Sequence, residues 1–211
     1  AAKACARAGA TVVLVGRRVP KLNRVYDAVK ALGPEPAIYP MDLAGADPAD
    51  YAELAARVAG ELGGLHGLLH CAAEFSGLAP LATVEPEAFV RCLHVNLSAP
   101  WLLTQACLPH LEKQADSAVV FVTDDPARVG KAYWGAYGLA KQGLAALVRQ
   151  LSAETDAALG LGKQPAHRGA EVGHRLALLL VALAAADLGA CAHQARQGLR
   201  AVGQCAIVGR D

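Results

Sequence analysis

The sequence predicts a single α/β domain built on a doubly wound parallel sheet. Three observations carry that prediction. Short apolar runs rich in β-branched residues alternate with longer segments of helical period across residues 1–157. The runs lack polar alternation, as expected of strands buried on both faces in a parallel sheet covered by helices. The 211 residues, 54% of them hydrophobic, suffice for one sizeable core and are few for two.

Each element has its own signal. "TVVLVG" (11–16) is a fully apolar strand, and Leu22, Val25, Val29 and Leu32 then recur at helical spacing up to Gly33-Pro34. "PAIYPMDL" (36–43) reads as a second strand. The next helix has an aspartate cap in "DPADY", a stripe of Tyr51, Leu54, Val58 and Leu62, and a Gly-Gly stop. "LHGLLHCAA" (65–73) is a third strand, followed by one long helical region from about Pro86 to Lys113. "SAVVFVTDD" (117–125) is a fourth strand, and residues 132–157 form a helix with Leu144, Leu147, Val148 and Leu151 on one face. Ligands of such sheets sit at the carboxyl ends of the strands, which points to Gly16–Arg18, Asp42, Cys71–Ala73 and Thr123–Asp125.

Composition excludes several classes of function. A net charge of +1 offers no footprint for nucleic acid or an anionic membrane. The longest apolar run, 176–186, is too short to span a bilayer and reads as a buried helix. The 6 cysteines are scattered, without C-x-x-C pairs or histidines at metal spacing, so reduced thiols in a cytoplasmic protein are expected and a metal site is not. His66, His70, His94 and His110 form no ligand cluster and read as structural.

Chemistry concentrates in "YWGAYGLAKQG" (133–143). Tyr137 and Lys141 stand four apart on a helix and share one face. An ammonium near a phenol favours the phenolate and moves the tyrosine toward the range a general acid/base needs. The pair opens the helix after the fourth strand; Asn96 lies upstream in "HVNLSAP", and a strand ending "VGRR" comes earlier still. In that order of features the chain resembles the short-chain dehydrogenase/reductase family, whose fold is a Rossmann-type sheet.

The resemblance implies an NADP-dependent oxidoreductase that passes hydride to a carbonyl or C=N group of a small-molecule substrate. Tyr137 would donate the proton, Lys141 would lower its pKa and bind the nicotinamide ribose, and Asn96 would hold a water leading to solvent. Asp42 in "MDLAG" matches the acid that touches the adenine, and Ala72 and Ala73 in "LLHCAA" would back the adenosine where the family has Asn-Ala-Gly. Cys71 and Ala73 depart from that pattern. At the end of "VGRR" the sequence has Gly16, Arg17 and Arg18 in place of a carboxylate. Guanidinium groups bind phosphate bidentately, which favours NADPH over NADH. Pairing of helices 86–113 and 132–157 across subunits would give a homodimer or homotetramer.

Asp124 stands thirteen residues before Tyr137 (137 − 124), where most of the family has a serine. A carboxylate there opposes negative charge developing on a carbonyl oxygen and raises the tyrosine pKa. Two readings follow. Asp124 suits a substrate with a basic nitrogen or a C=N bond, as in the pteridine reductases that the site is similar to. Alternatively, the protein is a catalytically impaired member or gene fragment serving at most as a binding or oligomerisation domain. "DDPARVGKAYWGAYGLAK" also resembles an uncharacterised bacterial oxidoreductase subgroup of the family.

Both flanks depart from the family. The Thr-Gly-x-x-x-Gly-x-Gly fingerprint is absent, and residues 1–9 read as the latter half of the helix after it, so a first strand and glycine loop of roughly twenty residues are expected upstream. Residues 1–158 therefore read as a partial Rossmann domain. Residues 159–211 read as a divergent or frame-shifted tail, helical in part, although "GQCAIVG" within it is similar to the family's last strand.

Overall fold

The computed structural model describes residues 1–158, 175–183 and 204–208. Six strands form one parallel sheet: Thr11–Gly16 (β1), Ala37–Pro40 (β2), Gly67–His70 (β3), Asp116–Asp124 (β4), Arg175–Leu183 (β5) and Gln204–Val208 (β6). Their order is β2-β1-β6-β3-β4-β5, and every neighbouring pair is parallel. The helices are Ala2–Arg7 (α1), Val19–Lys30 (α2), Pro48–Glu61 (α3), Pro86–Leu93 (α4), Ala99–Leu111 (α5), Pro126–Val129 (α6) and Gly135–Ala158 (α7).

Side chains alternate across a strand, so β1 feeds two cores. Val13 and Val15 enter a layer with Tyr51 and Leu54 of α3, Leu103 of α5 and Leu144 of α7. Val12 and Leu14 enter the opposite layer with Cys5 and Ala6 of α1 and Val29 of α2. Helices on both faces make the sheet doubly wound, as the apolar runs predict. Burial of each valine or leucine among them stabilises the fold by roughly 1.5–3 kcal/mol.

Several boundaries differ from the sequence reading, each for a local reason. β2 ends at Pro40; the Met41 N–H makes one more bond, to the Gly16 carbonyl at 2.9 Å, before the chain turns at Asp42, whose carboxylate accepts from the Ala44 N–H. The long helix expected over 86–113 is interrupted by a π-helical turn at His94–Ser98. Pro100 cannot donate to the Asn96 carbonyl, and the Ala99 N–H reaches back five residues to His94. The helix expected over 132–157 begins at Gly135, after the short α6 and a turn in which Tyr133 takes φ 74°. Of the stretch read as a buried helix over 176–186, residues 176–183 instead lie in β5, paired with β4 from Asp116↔Arg175 to Asp124↔Leu183, and 184–186 lie outside the described residues. A continuous apolar run carries no periodicity to separate strand from helix. "QCAIV" is a strand, as its likeness to a family strand suggests, but it lies inside the sheet, bonded to β1 on one side and β3 on the other.

The start of α3 illustrates how tightly local sequence sets an element. Asp47 accepts from the Ala49 and Asp50 N–H groups at 2.7 and 3.0 Å, and Asp50 accepts from the Asp47 N–H at 2.8 Å. This reciprocal capping box satisfies three N–H donors at the helix start. Asp47→Ala is expected to cost about 1 kcal/mol, read as a lower midpoint in urea with an unchanged m-value.

Candidate active site

The carboxyl ends of the parallel strands gather the residues singled out by sequence. Gly16 closes β1 with exposed Arg17 and Arg18 after it. Asp42, exposed beyond β2, folds its carboxylate onto the Ala44 N–H at 3.1 Å. Ala72 and Ala73 follow β3, half-buried, with Ala72 packed on the α3–α5–α7 core layer. Asp124 ends β4, and Tyr137 and Lys141 project from the first turns of α7. These candidates thus lie at the carboxyl ends of the parallel strands or on the helix that follows β4 and α6.

The chain around Tyr137 is built by a tight double turn. Asp125 caps α6 by accepting from the Ala127 N–H at 3.0 Å. That single turn brings Arg128 back onto Asp124. After it, the Tyr133 carbonyl accepts from the Ala79 N–H at 3.0 Å, fixing a residue held at positive φ. Gly138 lets α7 close against α6: a Cβ there would lie 2.2 Å from the Val129 carbonyl oxygen.

Within this frame the polar groups converge. The Tyr137 hydroxyl donates a long hydrogen bond, 3.3 Å, to Asp124 Oδ2. Asp124 Oδ1 accepts from the Asp125 N–H at 2.8 Å and from Arg128 Nη2 in an ion pair. Lys141 is 4% exposed; its Nζ donates to the Val122 carbonyl at 3.0 Å and lies 5.6 Å from the Tyr137 ring centroid. Thr123 Oγ1 donates to the Lys141 carbonyl at 3.0 Å, tying β4 to α7. The Arg128 pKa is raised chiefly by its hydrogen bond to Asp124.

Asn96 works from the π-helical turn. Its Nδ2 donates to the Glu74 and Cys92 carbonyls, both at 2.8 Å, and its Oδ1 accepts from the Glu74 N–H at 3.2 Å. The side chain therefore clamps the loop after β3, where Glu74 also pairs with Arg91 at 2.6 Å. Phe75, next in that loop, stacks on Trp134 at 5.5 Å and tilts onto Tyr137 at 5.0 Å. The Arg128 guanidinium covers the Trp134 ring at 5.5 Å. Exposed Leu78, Leu81 and Tyr133 extend these apolar surroundings outward.

His70, the last residue of β3, lies beneath the site. It is 4% exposed, stacks on Phe121 at 4.6 Å and meets Thr104 Oγ1 at 2.9 Å. The Thr104 hydroxyl donates its proton to the Pro100 carbonyl at 2.7 Å, so His70 Nε2 must carry the hydrogen of that contact. Burial, with the Lys141 charge adding to it, pushes its pKa down to about 3.

Sequence reasoning missed Arg128, Glu74, Phe75 and Gly138. Only Arg128 had a readable signal, its place four residues after Asp124 across the turn-forming Asp-Pro. Among the described residues no group of histidine, cysteine and carboxylate side chains could hold a metal, and no helix is long and apolar enough to cross a membrane. Cys5, Cys92 and Cys107 are buried and Cys71 is half-buried.

Known proteins share this arrangement of chain. The profile of the short chain dehydrogenase family matches residues 1–158. The oxidoreductase YciK of Escherichia coli K12 is 34% identical over 155 residues, which cover 73% of this chain and 62% of YciK. A short chain dehydrogenase structure from Pseudomonas syringae is 40% identical, with a TM-score of 0.68 over 72% of this chain and 65% of that one. Another, from Escherichia coli CFT073 in complex with NADPH, is 32% identical with a TM-score of 0.67, over 72% and 66% of the two chains. The chain spans less than two thirds of the length of the curated relatives, 62% of YciK and 50% of a Pseudocercospora fijiensis short chain dehydrogenase.

Proposed function

The chain belongs to the short-chain dehydrogenase family, and on that footing we propose that it reduces a carbonyl or C=N group with NADPH, Tyr137 giving the proton. The carrying observation is the convergence of the Tyr137 hydroxyl, the buried Lys141 ammonium and the end of β4. Lys141 favours the phenolate that remains once the proton has left. Asn96 holds the Glu74–Phe75 loop against the tyrosine ring, which keeps one side of the reacting centre apolar.

The residues at the strand ends fit NADP. Gly16 carries no carboxylate to repel a 2′-phosphate, and exposed Arg17 and Arg18 present guanidinium groups beside it. Asp42, the acid that follows β2, is turned onto its own loop through the Ala44 N–H. When bound, the nicotinamide supplies the hydride. With that hydride received at the substrate carbon, the oxygen or nitrogen left with the C=X electron pair would take the proton from Tyr137 Oη. The NADPH complex of the 32% identical Escherichia coli relative supports the same choice.

A C=N substrate is the second reading, favoured by the carboxylate of Asp124 lying beside the proton donor. Because Arg128 engages Oδ1, Oδ2 is the oxygen left toward Tyr137 and an incoming nitrogen. Exposed Val90, Trp101 and Leu139 on α4, α5 and α7 suit the pairing of subunits in a homodimer or homotetramer.

Cofactor choice is tested by titrating the chain with NADPH and NADH and following nicotinamide fluorescence. NADPH is expected to bind at least about tenfold more tightly, one charge-assisted contact to phosphate being worth roughly 1.5–3 kcal/mol. Arg17→Ser with Arg18→Ser should erase the difference. Equal binding of the two cofactors by the unaltered chain would overturn the assignment.

A further inference from the structure

The serine expected before Tyr137 is replaced by a carboxylate, and that carboxylate is not alone. Asp124 is 7% exposed, and its Oδ1 is held by the guanidinium of Arg128 one helical turn later. Arg128 is itself fixed from a second direction by the Trp134 face. Its Nε is buried and has no acceptor among the described residues. Leaving a buried N–H unpaired is unfavourable. The chain accepts that cost to keep the arginine seated at this point.

Resting on the reading of Tyr137 as proton donor, we infer that Arg128 is a positioning residue: it offsets the Asp124 charge and aims Oδ2 at the tyrosine hydroxyl. A bare carboxylate at that distance would hold the phenol proton too firmly for delivery. A compensated one accepts the hydrogen bond that orients the hydroxyl, while its repulsion of a forming oxyanion is largely cancelled by the adjacent guanidinium. The Asp124–Arg128 pair thereby makes an aspartate tolerable where a neutral hydroxyl is the family rule.

Among the described residues, the charged groups around Tyr137 are Asp124 at the end of β4, Arg128 on α6 and Lys141 on α7. Asp125 caps α6, Glu74 of the loop after β3 is engaged by Arg91 and Asn96, and His70 on β3 is neutral at ordinary pH. The Asp124–Arg128 balance is therefore the one that a substitution can tip in either direction.

The test needs neither substrate nor cofactor. Tyrosinate absorbance is titrated with pH, and the Tyr137 component is isolated by subtracting the Tyr137→Phe curve. Arg128→Met should raise the Tyr137 pKa by about one unit or more, and Asp124→Ser should lower it by a similar amount. The double variant should titrate close to the unaltered protein, and Arg128→Lys should restore most of the Arg128→Met shift. If neither single variant moves the tyrosine, or both move it the same way, the inference fails. If Arg128→Met does not fold, Arg128→Gln, of similar length and without charge, takes its place in the same titration and should raise the Tyr137 pKa in the same direction. Loss of the proposed reductase function would show separately, as NADPH turnover indifferent to Tyr137→Phe.

Discussion

Tyr137→Phe is expected to lower kcat for NADPH-dependent reduction by about 10²- to 10⁴-fold, the usual worth of a positioned general acid. The substitution removes one oxygen and leaves the ring. The contacts with Phe75 at 5.0 Å and Trp134 at 6.0 Å, and the Lys141 ammonium over the ring at 5.6 Å, are made by ring atoms and persist. Fold and cofactor affinity should therefore be unchanged, and the loss should appear in kcat with little change in KM. The assay is NADPH oxidation at 340 nm with a panel of aromatic ketones, quinones and pterins. Retention of more than a tenth of the activity would show that the proton comes from elsewhere.

The second large effect is on stability in acid. His70 titrates at about 3 in the folded protein because it is buried, against an ordinary value of 6.5. Between those pH values the unfolded chain binds a proton that the folded chain does not. Stability from this group is thus complete above pH 6.5 and is lost as pH falls toward 3. The slope is about 1.4 kcal/mol per pH unit, and the whole window of 3.5 units (6.5 − 3) amounts to as much as about 5 kcal/mol. Urea midpoints measured from pH 8 to pH 4 should fall steeply below pH 6. His70→Asn can still donate toward Thr104 but cannot titrate, so its midpoints should fall much less over the same range. Parallel pH profiles for the two proteins would show that His70 is not the source.

The sheet was largely legible in the sequence because buried strands and amphipathic helices differ in period, and the caps at Asp47 and the Gly63-Gly64 stop mark their ends. Tyr137 and Lys141 were legible for the same reason, as four-residue spacing on one helix face is a local property. Arg128 was harder: its spacing from Asp124 has meaning only if α6 forms, and a four-residue helix has too little sequence to announce itself. Asn96 was visible as a residue but not as a clamp on Glu74, a partner 22 positions away in the chain. The strand at Arg175–Leu183 reads as a helix in isolation because an unbroken apolar run fits either element until β4 is there to pair with it.

The position of β6 sets a condition on how the chain folds. Thr11 of β1 pairs with Gln204, a separation of 193 residues (204 − 11), and β3 meets the same strand from its other side. At ribosomal rates of roughly 5–20 residues per second, about 10 to 40 seconds pass between synthesis of β1 and of the strand that joins it to β3. Closing that pairing carries the entropy of a very long loop. The pairing of β6 with β1 and β3 is therefore expected to form late, after the local β-α units on either side of it.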